Sequence, residues 1–331
     1  MGNVRIGFIG VGGMAEHHIK KLQKIRHAEL TAVYDANPAR MNEIAERYGA
    51  APFGSADELL DSGAIDALFL CTPQFTRGAV EKKAAANGIH LFAEKPIGLD
   101  LEQARTNSRL ILESGIIHAV GYCLRYLETV QKAKAYLADK TPDMVLAYRI
   151  GSLPPVRWFH QMEQSGGQLV DQSTHQVDLV RYVAGEFRDV QARYAQRSIR
   201  NEAPDATIPD VGVVSFSLQS GAIGTINTGC MSRRFGRAEV EVIGPDFYVS
   251  LDGNGTSLTI VDDRQNISEK CGTDFYFEQD RAFVEAVRTG RQELVRCGFD
   301  DALATLEVTL AANESARTGR QVAIGASKAA V

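Results

Sequence analysis

The sequence predicts an α/β chain in two parts. An N-terminal doubly wound parallel sheet comes first, and a C-terminal α+β domain with a large, mostly antiparallel open sheet follows. Three observations lead there. Residues 6–9, a short apolar run, pass directly into Gly10-Val11-Gly12-Gly13-Met14-Ala15. Strand-length apolar runs then alternate with helix-length stretches as far as residue 121, the pattern of a parallel sheet covered on both faces. Beyond Cys123, strand-length runs follow one another, several of them separated by turn signals such as Ser220-Gly221 and Gly244-Pro245-Asp246.

The first strand leads into the G-x-G-x-x-A form of a dinucleotide-binding turn. Gly10 permits the tight turn, and Gly12 lets backbone approach a pyrophosphate without a Cβ in the way. Ala15 keeps the following helix, residues 14–25, close to the strand. Gly13 and Met14 open that helix, whose unpaired N–H groups and partial positive charge face the phosphates. A second run, residues 30–34, ends in Asp35, twenty residues past Ala15. An acid there accepts both ribose hydroxyls of NAD and repels a 2′-phosphate; Arg40 nearby leaves NADP open. The competing reading is an ordinary strand-to-helix turn with a capping Asp.

Pro38 suits the first turn of a helix that runs to about Tyr48. A short helix near residues 57–61 precedes a strand at 65–71 that is apolar on both faces. Residues 77–87 read as a helix capped by Gly88. Residues 90–93 form a strand that ends in Glu94-Lys95-Pro96. A helix at 99–114 closes at Gly115, and 116–121 is the last strand of this half. In the second half, 126–138 is helical, and 144–150, 190–199, 211–218, 223–231, 238–243, 247–251 and 257–261 are strands. Glu239-Val240-Glu241-Val242 alternates as a strand with one wet and one buried face does. Helices at 277–289 and 300–318 follow, and 326–331 reads as a frayed tail. The expected domains are 1–122, binding NAD(P), and 123–331, a second domain of the α+β kind.

Composition bounds the function. The 331 residues suffice for two domains, and 44% hydrophobic with 23% charged residues is ordinary globular usage. A net charge of −5 offers no basic surplus for nucleic acid or an anionic membrane. The longest apolar runs, such as 67–71, are too short to span a bilayer. The first strand starts too early to leave room for a signal peptide, and Ile6 stands where a myristoylation signal needs Ser or Thr. Five scattered cysteines, Cys71, Cys123, Cys230, Cys271 and Cys297, without a C-x-x-C pair, fit reduced thiols in a cytoplasmic protein.

Ligands of a doubly wound sheet sit at the C-terminal ends of its strands. Two further stretches fall there. In Cys71-Thr72-Pro73-Gln74, Pro73 sets the turn while Thr72 and Gln74 can hydrogen-bond a nucleotide; a plain turn is the alternative. In Glu94-Lys95-Pro96, the Lys95 ammonium can stabilise charge developing on a substrate oxygen, or simply pair with Glu94 on the surface. A third site lies in the second half. On a single helix beginning after Gly166-Gly167, Asp171, His175 and Asp178 stand at i, i+4 and i+7 and share one face. Two carboxylates flanking an imidazole suit a general acid/base. The alternatives are a salt-bridged helix face or a metal site, and the lack of a second nearby His speaks against the metal.

Together these stretches resemble the Gfo/Idh/MocA oxidoreductases, the family of glucose–fructose oxidoreductase and inositol 2-dehydrogenase. The likeness covers nearly the whole chain and includes residues 10–15, Thr72-Pro73, Glu94-Lys95-Pro96, the Gly166…Asp171…His175 stretch and Phe283-Val284-Glu285-Ala286. It implies an N-terminal Rossmann domain, a C-terminal domain with a large open sheet, and a nicotinamide between them. Carried onto this chain, Lys95 polarises the substrate oxygen, Asp171 positions the substrate and His175 accepts the proton. Glu94 and the turn Thr72, Pro73, Gln74 contact the nucleotide. Tyr122 and Arg125 become substrate-side candidates. Trp158, the only tryptophan, either stacks on a sugar ring or fills core. Gln74 stands where the family often has Asn, and Arg77 where it often has His.

The expected activity is an NAD(P)-dependent dehydrogenase acting on CH–OH groups, hydride passing between the nicotinamide and a secondary alcohol or ketone of a sugar, cyclitol or related polyol. The alternatives are a glycoside-cleaving enzyme with transient redox and a non-catalytic NAD-binding regulator. A homodimer or homotetramer through the C-terminal sheet is expected, with no nucleic-acid or membrane partner and no metal.

Overall fold

Alternating strands and helices build the first of two units in the computed structural model, which describes residues 2–325. The expected fraying of 326–331 lies outside the described residues. In chain order the elements are β1 (Val4–Ile9), α1 (Gly13–Leu22), β2 (Ala28–Tyr34), α2 (Pro38–Tyr48), β3 (Ala51–Pro52), α3 (Ala56–Asp61), β4 (Ala67–Leu70), α4 (Ala79–Ala86), β5 (His90–Ala93), α5 (Leu101–Ser114) and β6 (His118–Val120). The strands are all parallel, in the order β3-β2-β1-β4-β5-β6. Strand order therefore reverses between β1 and β4, where such sheets bind their ligands.

Local chemistry explains the helix starts. Asn37 caps α2 by accepting from the N–H groups of Ala39 and Arg40, with Pro38 in the first turn. Ser55 and Asp100 cap α3 and α5 in the same way. The expected helix over 77–87 is shorter. Gln74–Thr76 form a 3-10 turn, Arg77 is extended, and α4 begins at Ala79.

The second unit carries α6 (Glu128–Leu137), β7 (Met144–Ile150), α7 (Met162–Ser165), α8 (Gly167–Asp171), α9 (Thr174–Ala184), β8 (Phe187–Ala195), β9 (Val211–Leu218), β10 (Ile223–Gly229), β11 (Arg237–Gly244), β12 (Phe247–Asp252), β13 (Ser257–Asp262) and β14 (Gln265–Lys270). Then come α10 (Phe275–Thr289), α11 (Phe299–Thr318) and β15 (Val322–Ala323). Nine strands form one sheet in the order β14-β13-β12-β11-β7-β10-β9-β8-β15. All neighbours are antiparallel except β7 and β10. Val145, Ala147, Val214, Ile226, Val240 and Val249 are buried on the helix-covered face. Met144, Val213 and Ile223 lie on the other face and are exposed.

The division differs from a single boundary after residue 122. Among the described residues, one unit comprises 2–126 with 274–303, the other 127–273 with 304–325. The return has a packing cause. Phe283, Val284 and Ala286 of α10 are buried in the same apolar cluster as Phe8, Phe69 and Phe92 of β1, β4 and β5. The rings of those strands stack at 5.0 Å (Phe8–Phe69) and 4.5 Å (Phe69–Phe92).

A second difference concerns the expected continuous helix after Gly167. It breaks into α8 and α9 at Gln172-Ser173. The N–H of Ser173 reaches back to the carbonyl of Gln168, and that of Gln176 only to Ser173, so the winding loosens and then tightens. The Ser173 hydroxyl, buried 2.6 Å from the Thr228 hydroxyl on β10, fixes the break against the sheet.

Candidate functional site

The cofactor-type turn is built as its residues require. Gly10 has φ +83, and a Cβ there would lie 2.9 Å from the backbone of Cys71 and Thr72, so both conformation and space demand glycine. Ala15 is fully buried, which brings α1 onto the sheet. In front of α1 the surroundings are open: a Cβ on Gly12 or Gly13 would meet nothing within 4 Å. Gly12 stands at the N-cap and offers no side-chain bond to the helix N–H groups; Met14 is half-buried behind it. Asp35, at the end of β2, accepts the N–H of Val11 at 2.7 Å on one oxygen and that of Asn37 at 2.8 Å on the other. Its carboxylate is thereby fixed beside the turn, with lone pairs to spare. The Arg40 guanidinium is committed elsewhere, to Glu16 at 2.6 Å, Glu43 at 2.8 Å and the carbonyl of Val11 at 3.0 Å. The bonds from Arg40 and Lys20 hold the Glu16 carboxyl down to about 2.

At the tips of β4 and β5 the structure adds partners that sequence reasoning missed. Arg77, buried, donates to the carbonyls of Leu70, Thr72 and Glu94. It ties the two strand ends together where the family often has His. Pro73 carries the chain into the 3-10 turn and Gln74 is buried within it, while the Thr76 hydroxyl donates to that of Thr72. Lys95 follows directly, half-buried, with a cis peptide to Pro96. Its backbone N–H donates to Glu94 Oε2 at 3.2 Å. The other oxygen of Glu94 lies 2.9 Å from Nε2 of His18, on α1, and Nδ1 of His18 lies 2.8 Å from Asp280, on α10. Burial alone lowers the His18 pKa, but Asp280 and Glu94 outweigh it and raise it to about 10. Burial pushes the Glu94 carboxyl up, yet His18, then Lys95 and Arg77, hold it below the ordinary carboxylate value. His18 sits three residues beyond Ala15 on the inner face of α1; a polar residue at a core position was the available signal.

Two substrate-side candidates are placed inside this unit. Tyr122 and Arg125 are each 1% exposed. The Arg125 guanidinium pairs with Asp301 and donates to the carbonyl of Arg296 at 2.8 Å. It ties the stretch after β6 to the returning segment.

In the second unit, the break after α8 corrects the shared helical face. Asp171 is the last residue of α8, His175 lies in the first turn of α9, and Asp178 is turned inward, where it accepts the hydroxyl of Thr305 on α11 at 3.2 Å. Asp171 is 9% exposed and His175 half-buried. A cation unnoticed in the sequence stands by them. Arg149, on β7, donates to Gln172 at 3.4 Å; burial lowers its pKa and the charge of Asp171 opposes that. Trp158 packs against the cluster of Phe159, Ile199, Ala203 and Ile208, so much of its ring fills core. Among the described residues, no group of three or more His, Cys, Asp or Glu could hold a metal, and no helix is long and apolar enough to cross a membrane.

Known proteins resemble the chain over nearly its whole length. Residues 4–122 match the model of an oxidoreductase family with an NAD-binding Rossmann fold, and residues 116–247 match the C-terminal domain of the same family. The chain belongs to the Gfo/Idh/MocA family. It is 28% identical to the scyllo-inositol 2-dehydrogenase (NAD(+)) of Bacillus subtilis strain 168, over 98% of each chain. It is 26% identical to the myo-inositol 2-dehydrogenase of Thermotoga maritima, over 96% of this chain and 98% of that one. Of solved structures, GenD2 from gentamicin A biosynthesis, in complex with NAD, has a TM-score of 0.85 at 27% identity, covering 98% of this chain and 97% of that one.

As a Gfo/Idh/MocA oxidoreductase the chain takes NAD, and its residues fit that group. The space before Gly12 and Gly13 is open, so no side chain crowds the approach to the turn. The uncapped start of α1 offers N–H donors to a pyrophosphate. Asp35 offers acceptors to a ribose diol.

Proposed function

We propose that this Gfo/Idh/MocA protein oxidises a secondary alcohol of a polyol, of the inositol or sugar class, with NAD in preference to NADP. Full-length similarity to inositol dehydrogenases, with Lys95, Asp171 and His175 all present, is the observation that carries the reading. The N–H groups at the start of α1 hold the pyrophosphate, and Asp35 takes the adenosine ribose. Glu94 and the Thr72–Pro73 turn contact the nicotinamide half. Lys95 donates to the hydroxyl oxygen and stabilises the negative charge it gains as its proton leaves. His175 takes that proton, with Asp171 orienting the substrate against it. Bound NAD supplies the acceptor for the electron pair.

Arg40 is neutralised by Glu16 and Glu43, which supports NAD: a 2′-phosphate would meet the Asp35 carboxylate without an available guanidinium to offset it. The enzyme works in the cytoplasm, as its five scattered cysteines suggest. It assembles as a homodimer or homotetramer through the open sheet face, where Met144, Val213 and Ile223 are 40%, 47% and 56% exposed.

The test is NADH formation across a panel of inositols, sugars and diols, with Lys95→Ala alongside. Loss of the ammonium should lower turnover by about 10²–10³-fold while calorimetry finds NAD affinity nearly unchanged. Unchanged turnover in the variant would remove Lys95 from the chemistry.

A further inference from the structure

The imidazole of His18 lies at the centre of the first unit, 0% exposed, with Phe69, Phe92 and Tyr276 around it at ring separations of 5.5, 5.2 and 6.0 Å. Each of its nitrogens faces a carboxylate: Nδ1 lies 2.9 and 2.8 Å from the two oxygens of Asp280, and Nε2 lies 2.9 Å from Glu94 Oε1. A neutral imidazole has only one N–H, so with both carboxylates ionised one of these contacts would set a ring lone pair against a carboxylate. Both are bonds when the ring is doubly protonated; burial pushes the Asp280 carboxyl up and the charged ring opposes that, and the attraction of Asp280 and Glu94 for the ring favours the doubly protonated form. Such an ion cluster is a poor device for stability, since well-packed hydrocarbon of similar volume often serves as well or better. Its geometry has a different outcome, which is to immobilise Glu94.

Glu94 is held on every side. His18 occupies Oε1 and the N–H of Lys95 occupies Oε2. Arg77 holds its backbone carbonyl at 3.0 Å. Gly121, with no side chain, leaves the slot: a Cβ there would stand 2.6 Å from Oε1. The carboxylate and the backbone of Lys95 are thereby fixed as one piece at the tip of β5.

We propose that His18 and Asp280 are positioning residues that hold Glu94 as an oriented carboxylate for a ribose diol of the bound nucleotide, and through it set the backbone from which Lys95 acts. This rests on the function proposed above. Neither residue touches substrate or cofactor; both act through Glu94.

The test is a double-mutant cycle on the full-length protein, with NAD binding read by calorimetry in the absence of substrate. Asp280→Asn keeps the shape and removes the charge, and should weaken NAD about tenfold. It should lower kcat with little change in the KM for the polyol. Glu94→Gln should do the same. In the Glu94→Gln background, Asp280→Asn should then have almost no further effect on NAD affinity. Additive losses, or wild-type affinity in a folded Asp280→Asn protein, would overturn the proposal. Should the variant not fold, the wild-type protein decides by 15N NMR of His18. Both ring nitrogens protonated at pH 8, with shifts that move on adding NAD, support it; a neutral ring, or one indifferent to NAD, overturns it. Failure of the underlying reading looks different, because the wild-type protein itself would then give no binding heat with NAD.

Discussion

At the scale of single residues, cofactor choice rests on Asp35 and the occupation of Arg40. The Asp35 carboxylate is oriented by the N–H groups of Val11 and Asn37, and Arg40 is spent on two carboxylates and a carbonyl. NAD should therefore bind at least about tenfold more tightly than NADP, the difference expected for one unpaired charge contact. Asp35→Ser should narrow that gap mainly by weakening NAD. Calorimetric titration with the two nucleotides checks both statements, and a wild-type preference for NADP would contradict them. Much of this end was legible in the sequence. Gly10, Gly12, Ala15 and Asp35 have roles dictated by backbone geometry and charge, which local sequence expresses. Arg149 beside Asp171, and Asp301 against Arg125, come from remote parts of the chain, and no spacing rule announces them.

Among elements, α1, β5 and α10 meet at His18, and stability should follow its titration. The folded-state value is raised, to about 10 from an ordinary 6.5. The stabilisation is thus fully present below about 6.5, where folded and unfolded chains are both protonated, and is lost as pH rises through about 10. Glu94, lowered in the folded state, acts oppositely: its contribution is present above its ordinary value and fades as pH falls through the folded one. Thermal melts should show Tm declining from neutral pH to pH 10, and His18→Gln should flatten that decline. An unchanged slope in a folded variant would contradict the assignment.

Elements were legible where periodicity was strong. The strand expected over 211–218 is β9 to the residue. Where the pattern was weak they were not. β14 is a polar edge strand, mostly exposed, with no apolar alternation to mark it. The break between α8 and α9 carries no Gly or Pro; it is imposed by Ser173 bonding to Thr228 on another strand, a tertiary contact that overrides helical propensity. The return of α10 to the first unit was hidden for the same reason, because its apolar face would suit either core.

For the whole molecule, the open face of the nine-stranded sheet governs assembly. Met144 and Ile223 are register partners on adjacent parallel strands, and Val213 stands on the same face one strand further on. Alongside them Arg237 stacks on Tyr148 at 3.5 Å and bonds to Glu239 and Glu241. That mixture of exposed apolar side chains and internally paired charges suits a surface covered by a second copy. Light scattering should give a dimer or tetramer, and Ile223→Arg should shift the mass toward the monomer without unfolding either unit. A wild-type monomer at micromolar concentration would contradict this.

A deuterium label follows the transferred hydride itself. The polyol that turns over best, deuterated at its carbinol carbon, is incubated with the wild-type protein and NAD, and the reduced cofactor is analysed by mass. Net NADH carrying the label is expected, one equivalent for each ketone formed, with almost none from Lys95→Ala. Product formed without net NADH, or NADH without deuterium, would contradict hydride transfer from the carbinol carbon to NAD.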